Sequence, residues 1–180
     1  MVDKLYDYNA YKLFTRTVAA YPSDKETQYL TLGVCDEAGE LVEKLSLQEV
    51  EGVRAEIGDV AWYATRLWDS LQPDGDFNAF IAESEKEVVG CLQAGISATD
   101  VLVNIPRLTG AIAGRVKKWM RGDSELQTKV VLDNLRSLFA LLALLSTTFK
   151  GSLLDLMAEN QLKLESRKER GVIKGDGDNR

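Results

Sequence analysis

The sequence predicts an all-α protein: a helical bundle of two tandem helical repeats followed by a C-terminal helix. Three observations predict it. Strand signals are nearly absent, and the β-branched residues fall inside helical periods. Apolar residues recur three and four apart over long segments. Clear turn signals separate those segments, and the plan repeats after about 75 residues.

A first helix is expected from about Asp3 to Ala20, ended by Tyr21-Pro22. "SDKE" at Ser23 to Glu26 reads as a capping box that opens a second helix, running to about Leu45. Its apolar residues are Leu30, Val34, Ala38, Leu41 and Leu45. A third helix, from about Glu49 to Leu71, buries Val53, Ile57, Val60, Ala64, Leu67 and Leu71. "QPDGD" at Gln72 to Asp76 is a turn.

A helix from Phe77 to Gln93 begins the second period. "GISATD" at Gly95 to Asp100 breaks it and caps the next, which reaches about Met120 with a kink expected at Pro106. "RGDS" at Arg121 to Ser124 is another hairpin loop, and a long apolar helix follows from Gln127 to Phe149. The last helix runs from Ser152 to about Glu169, and the chain closes with "GVIKGDGDNR". The expected units are 1–75, 76–150 and 151–180, together forming one compact domain.

Composition narrows the chemistry. The 180 residues are 45% hydrophobic and 28% charged, as in an ordinary globular protein. A net charge of −6 and a pI near 4.8 argue against a general nucleic-acid coat. There is no histidine, which excludes imidazole as base, shuttle or metal ligand. A metal must then sit on oxygen, which favours magnesium or manganese over zinc. Cys35 and Cys91 lie among apolar residues and read as buried free thiols in a reducing cytoplasm. "MVDKLYDYNAYK" reads as neither a signal nor a transit peptide. The longest apolar run, Leu138 to Leu145, is too short to span a bilayer and reads as buried helix.

Carboxylates are the unusual feature. Glu37 and Glu40 lie three apart on the second helix, and Glu56 and Asp59 lie three apart on the third. Residues at that spacing are about 60° apart and face one neighbour together. The short connection makes the two helices antiparallel neighbours. Both pairs sit on the shoulder of a buried stripe, so facing pairs would surround one point with four carboxylates. Four such charges require a cation. The plain alternative is a solvated acidic face. Gly39 and Gly58 weaken their helices, which suggests close backbone approach at both.

"LGVCDEAGELVEK" followed by "EIGDVAWY" resembles the E-x-x-E…E-x-x-D signature of the MazG-like nucleotide pyrophosphohydrolases. "TVAAYP" and "NQLKLESRKERGVIKGDGDNR" resemble the bacterial and phage branch of that family. The resemblance implies an all-α NTP pyrophosphatase that splits nucleoside triphosphates between the α and β phosphates with Mg2+, Mn2+ being a possible substitute. It implies Glu37, Glu40, Glu56 and Asp59 as metal ligands, with Asp36, Glu37 and Glu40 serving catalysis and Asp36 orienting water. It also assigns Lys44, Tyr63, Asn160, Lys163, Arg167 and Arg170 to the substrate. Asn160, Lys163, Arg167 and Arg170 share one helical face, which a solvated basic surface would also explain. Trp62 and Trp68 read as core. "KGDGDNR" either wraps phosphate with its glycine amides or forms an untethered terminus.

The chain departs from the family pattern in one place. Single-repeat members carry a basic segment directly after the E-x-x-E helix, where this chain has "LSLQEV". A similar segment, "RVKKWMRGD", stands at Arg115 to Asp123 in the second half. That half has lost the acids: Asp100 and Asp133 are the only ones in its two long helices. The expectation is a pseudo-dimer within one chain, the second repeat offering Lys117, Lys118 and Arg121 to phosphates. Leftover apolar helix faces suit a further homodimer. The alternatives are a dimeric-type dUTPase and a non-catalytic helical module that binds a nucleotide or a protein.

Overall fold

The computed structural model describes residues 7–93 and 95–173, without the side chain of Cys91. Among them the chain forms seven α-helices and one 3-10 turn, with no strand. The helices are α1 (Tyr8–Thr17), α2 (Glu26–Leu47), α3 (Val50–Leu71), α4 (Phe77–Gln93), α5 (Ala98–Met120), α6 (Thr128–Thr148) and α7 (Leu153–Glu169).

Two hairpins, α2–α3 and α5–α6, close into a ring: α2 packs on α3, α3 on α6, α6 on α5, and α5 back on α2. The apolar stripes meet inside it. Leu30, Val34 and Leu41 on α2, Ile57 and Val60 on α3, Ile105 and Ile112 on α5, and Leu135 and Leu142 on α6 are fully buried. Each such side chain contributes roughly 1.5–3 kcal/mol on leaving water, and this burial drives ring closure. Outside the ring, α1 packs on α3, α4 and α7, while α4 packs on α6. α7 lies along α3, with a smaller contact to α6. Trp68 joins α3 to α4 and α6 through Phe77, Phe80 and Phe139, and is core as expected.

The helix ends follow local chemistry in most places. Ser97 with Asp100, and Ser152 with Asp155, form full capping boxes at α5 and α7. Asp7 caps α1 by accepting from the Ala10 amide at 2.7 Å. α1 stops at Thr17, short of Ala20, and the first part of the helix expected from Asp3 lies outside the described residues. Gln48, at φ 57°, ends α2 and turns the chain into α3 within two residues. α5 remains one helix across Pro106. The tail from Lys174 lies outside the described residues.

The capping box expected at Ser23 does not form. Ser23–Lys25 is a 3-10 turn, and α2 begins at Glu26 without a side-chain cap. Glu26 instead accepts from Arg66 Nη2 at 2.5 Å and Tyr21 Oη at 2.9 Å. A charge-assisted bond to a buried guanidinium outweighs a bond to a local amide. Arg66 also pairs with buried Asp69, which takes a two-pronged contact from Arg16 on α1.

The run Leu138–Leu145 belongs to a helix of 21 residues that is long and apolar enough to cross a membrane, with a mean hydropathy of 1.5. In the protein little more than half of its most apolar stretch is buried, and the helix touches α3, α4, α5 and α7. Its composition follows from those neighbours, since a helix covered on several sides is apolar nearly all round.

Candidate metal centre

Because Gln48 and Glu49 reverse the chain so tightly, α2 and α3 lie side by side for most of their length. That brings Glu37 to Glu56 and Asp59. One carboxylate oxygen from each lies within 4.8 Å of the others. Glu56 is buried, at 2% exposure, while Glu37 and Asp59 are half-buried. Burial pushes the Glu37 carboxyl up to about 8, and the charges of Asp59, Glu56 and Glu40 add to the rise. Lys163 opposes it.

This donor set fits a hard divalent cation. All three groups are carboxylates, which suit Mg2+ or Mn2+. Bonds of about 2.1 Å keep ligand oxygens within about 4.2 Å of one another, so a small adjustment would let the three share one ion. Their mutual repulsion marks a point where positive charge is stabilising.

Glu40, the fourth expected ligand, is exposed and outside this cluster, although its charge still reaches Glu37. The stripe through Val34, Ala38 and Leu41 sets the rotation of α2, and that rotation turns residue 40 toward solvent. Asp36, one turn before Glu40, is likewise exposed. Cys35 is half-buried rather than buried, its thiol directed at the Thr109 carbonyl at 3.6 Å.

Two of the expected substrate residues meet the acids from α7. The Asn160 amide donates to Asp59 Oδ1 at 2.7 Å, and Lys163 Nζ reaches Asp59 Oδ2 at 2.5 Å. Gly58 makes this possible: a Cβ there would stand 2.9 Å from Asn160 Cβ and 3.3 Å from the Leu156 carbonyl. The close approach expected at Gly58 is present, but Gly39 faces open space. The basic face of α7 divides along its length. Arg167 is buried, while Arg170 is exposed and bonds back to the Ser166 carbonyl.

Tyr63 borders the acids. Its phenol is pushed up chiefly by burial and by its hydrogen bond with Tyr29, with smaller contributions from the charges of Glu37 and Asp59. Its ring meets Trp62 edge-on at 4.8 Å and lies 6.1 Å from that of Tyr29, which stacks on Tyr21 at 4.9 Å. The remaining expected cations have other surroundings. Lys44 pairs with Glu49 at 3.0 Å, and Arg121 pairs with Asp123. Lys117 and Lys118 face solvent in the last turn of α5. Among the described residues, Lys163 on α7 is a cation that meets the acids directly.

Three contributors escape sequence reading. Tyr11, fully buried on α1, donates its hydroxyl to Asn160 Oδ1 at 2.8 Å. Arg54 lines a cleft of about 200 Å³ with Glu51, Ala55, Leu156, Glu159, Asn160 and Lys163. It donates to Glu159 at 2.5 Å and to the Phe149 carbonyl at 2.7 Å. The third is Gly33, whose missing side chain admits the ring of Tyr63. A glycine inside a helix was a usable signal for Gly33, whereas Tyr11 and Arg54 stand in ordinary helical periods. Compared with known proteins, no family model, no curated protein and no solved structure matches this chain.

Proposed function

We propose that this chain is a Mg2+-dependent nucleoside triphosphate pyrophosphohydrolase of the MazG-like kind. The observation that carries the reading is the convergence of Glu37, Glu56 and Asp59 on one point between α2 and α3. The reaction adds water across the anhydride between the α and β phosphates. A water oxygen bonds to the α phosphorus, the bond to the bridging oxygen breaks, and a nucleoside monophosphate and pyrophosphate result.

When bound, the cation supplies positive charge against the charge building on the phosphates and makes water easier to ionise. The three carboxylates would hold it. Asp36 and Glu40, one turn apart on the solvent side of α2, are assigned to orient the attacking water and take its proton. Asn160 and Lys163 hold Asp59 in place. Tyr63 and half-exposed Tyr29 offer an aromatic face to the base.

The second repeat reads as a degenerate copy. Its packing echoes the first: α5 pairs with α6 as α2 does with α3, and α4 lies on α6 as α1 does on α3. Also offered to the phosphates are Lys117 and Lys118, exposed at the end of α5, and Arg121, which would first have to leave Asp123.

The test is pyrophosphate release from a panel of NTPs and dNTPs, with and without Mg2+, alongside Glu56→Gln. The expected result is Mg2+-dependent release that the substitution abolishes. Release from dUTP alone would make this the narrower dUTPase. No release from any nucleotide would leave a binding module.

A further inference from the structure

Tyr11, Asn160 and Asp59 form a hydrogen-bonded line across α1, α7 and α3. Its direction is fixed by chemistry. The Asn160 amide nitrogen donates to Asp59 Oδ1 at 2.7 Å, and an amide nitrogen can only donate. The Asn160 carbonyl oxygen then faces Tyr11, whose hydroxyl must donate. Tyr11 is 0% exposed and Asn160 is 4% exposed, so water does not substitute for either partner. Burial, with the nearby charge of Asp59, raises the Tyr11 phenol well above its ordinary value and keeps it a neutral donor.

We propose that Tyr11 is a positioning residue of the acidic centre, holding Asp59 through Asn160 in the orientation that faces Glu37 and Glu56. The inference rests on the metal reading above. Phenylalanine would fill the space of the Tyr11 ring equally well, and the hydroxyl serves Asn160. Asp59 has two donors from α7, and they differ in kind. Lys163 is a flexible side chain at 26% exposure, whereas Asn160 is pinned at its Cβ by Gly58 and at its carbonyl by Tyr11. Remove the hydroxyl, and a buried carbonyl oxygen loses its donor. The amide is then free to turn away from Asp59. α1, at the far end of the chain from α7, is thereby part of the metal centre.

The test is Mn2+ binding to the full chain, followed by electron paramagnetic resonance, for the wild type, Tyr11→Phe and Ser84→Ala. Ser84 is a fully buried hydroxyl bonded to the Phe80 carbonyl in α4, a helix that packs on α1 and α6. It controls for the general loss of a buried hydroxyl. Tyr11→Phe is expected to weaken Mn2+ binding about tenfold, within the range for groups that orient metal ligands, and Ser84→Ala to leave it unchanged. Equal binding by wild type and Tyr11→Phe would overturn the inference and leave the metal reading standing. A wild type that binds no Mn2+ overturns both. The wild type also supports a test independent of folding in the variant. Mg2+ should shift the NMR signals of the Asn160 side-chain amide, and unmoved signals in Mg2+-loaded protein would overturn the inference.

Discussion

The ring of Tyr63 on α3 lies against Gly33 on α2, so close that a Cβ at position 33 would stand 2.2 Å from two ring carbons. This contact lets the aromatic side chain sit beside the acids without parting the two helices. Gly33→Ala gains helix propensity of about 1 kcal/mol but must displace a ring wedged by Trp62 and Tyr29, at about 1–3 kcal/mol. The expected net effect is a loss of about 1 kcal/mol. Gly39→Ala, with open space around it, is expected to gain about 0.5–1 kcal/mol. Urea unfolding of the two variants should give opposite signs.

The proposed metal site makes different demands on the carboxylates. Saturating Mg2+ should stabilise the wild type by about 2.7 kcal/mol at a hundredfold excess over its Kd. Glu56→Gln, which alters a buried member of the cluster, is expected to erase that gain. Glu40→Gln, outside the cluster, should retain most of it. Thermal unfolding with and without Mg2+ makes the comparison, and equal losses in the two variants would contradict this assignment.

In chelator, stability should depend on pH through Glu37. Burial and the charges of Asp59, Glu56 and Glu40 raise its folded pKa from 4.5 to about 8, against the pull of Lys163. Between those values the folded chain binds a proton that the unfolded chain has lost, so stability falls as pH rises. The contribution is fully present below 4.5 and is lost as pH climbs through about 8. Denaturant midpoints at about pH 5 and about pH 8 should differ in that direction, and Glu37→Gln should shrink the difference.

Asp69 carries a different kind of burden. At 3% side-chain exposure it balances Arg66, itself at 8%, and also takes Arg16. Asp69→Ala leaves a buried guanidinium with Glu26 as its remaining acid. The expected loss is about 3 kcal/mol, near the lower end for a broken buried pair. Replacing exposed Glu83, paired with Lys86 on the surface of α4, should leave the midpoint of the same denaturant assay nearly unmoved.

Helix existence was readable because periodicity is written into each few turns. The third helix, expected from Glu49 to Leu71, is α3, Val50–Leu71. The meeting of Glu37 with Glu56 and Asp59 was readable too, because a two-residue connection leaves antiparallel pairing as the geometry that buries both stripes. Glu40 stands outside the three-carboxylate cluster for a reason of rotation. Position 40 lies next to the stripe, and the packing of α2 on both α3 and α5 turns it outward. Glu26 looked like a capping residue because its competitor, Arg66, stands 40 residues away in sequence.

The sequence by itself determined an all-helical chain, most of its turns, and two pairs of carboxylates on the shoulders of two neighbouring helices, of which the tertiary structure brings three together. These follow from interactions within one helix or one hairpin, whose partners are close in the chain. Only the tertiary structure decided which side chains hold those carboxylates. Tyr11 and Asn160 are 149 residues apart, and Asn160 and Asp59 are 101 apart. Their bonds have direction and strength only once α1, α3 and α7 have excluded water around them, and no local pattern records that exclusion.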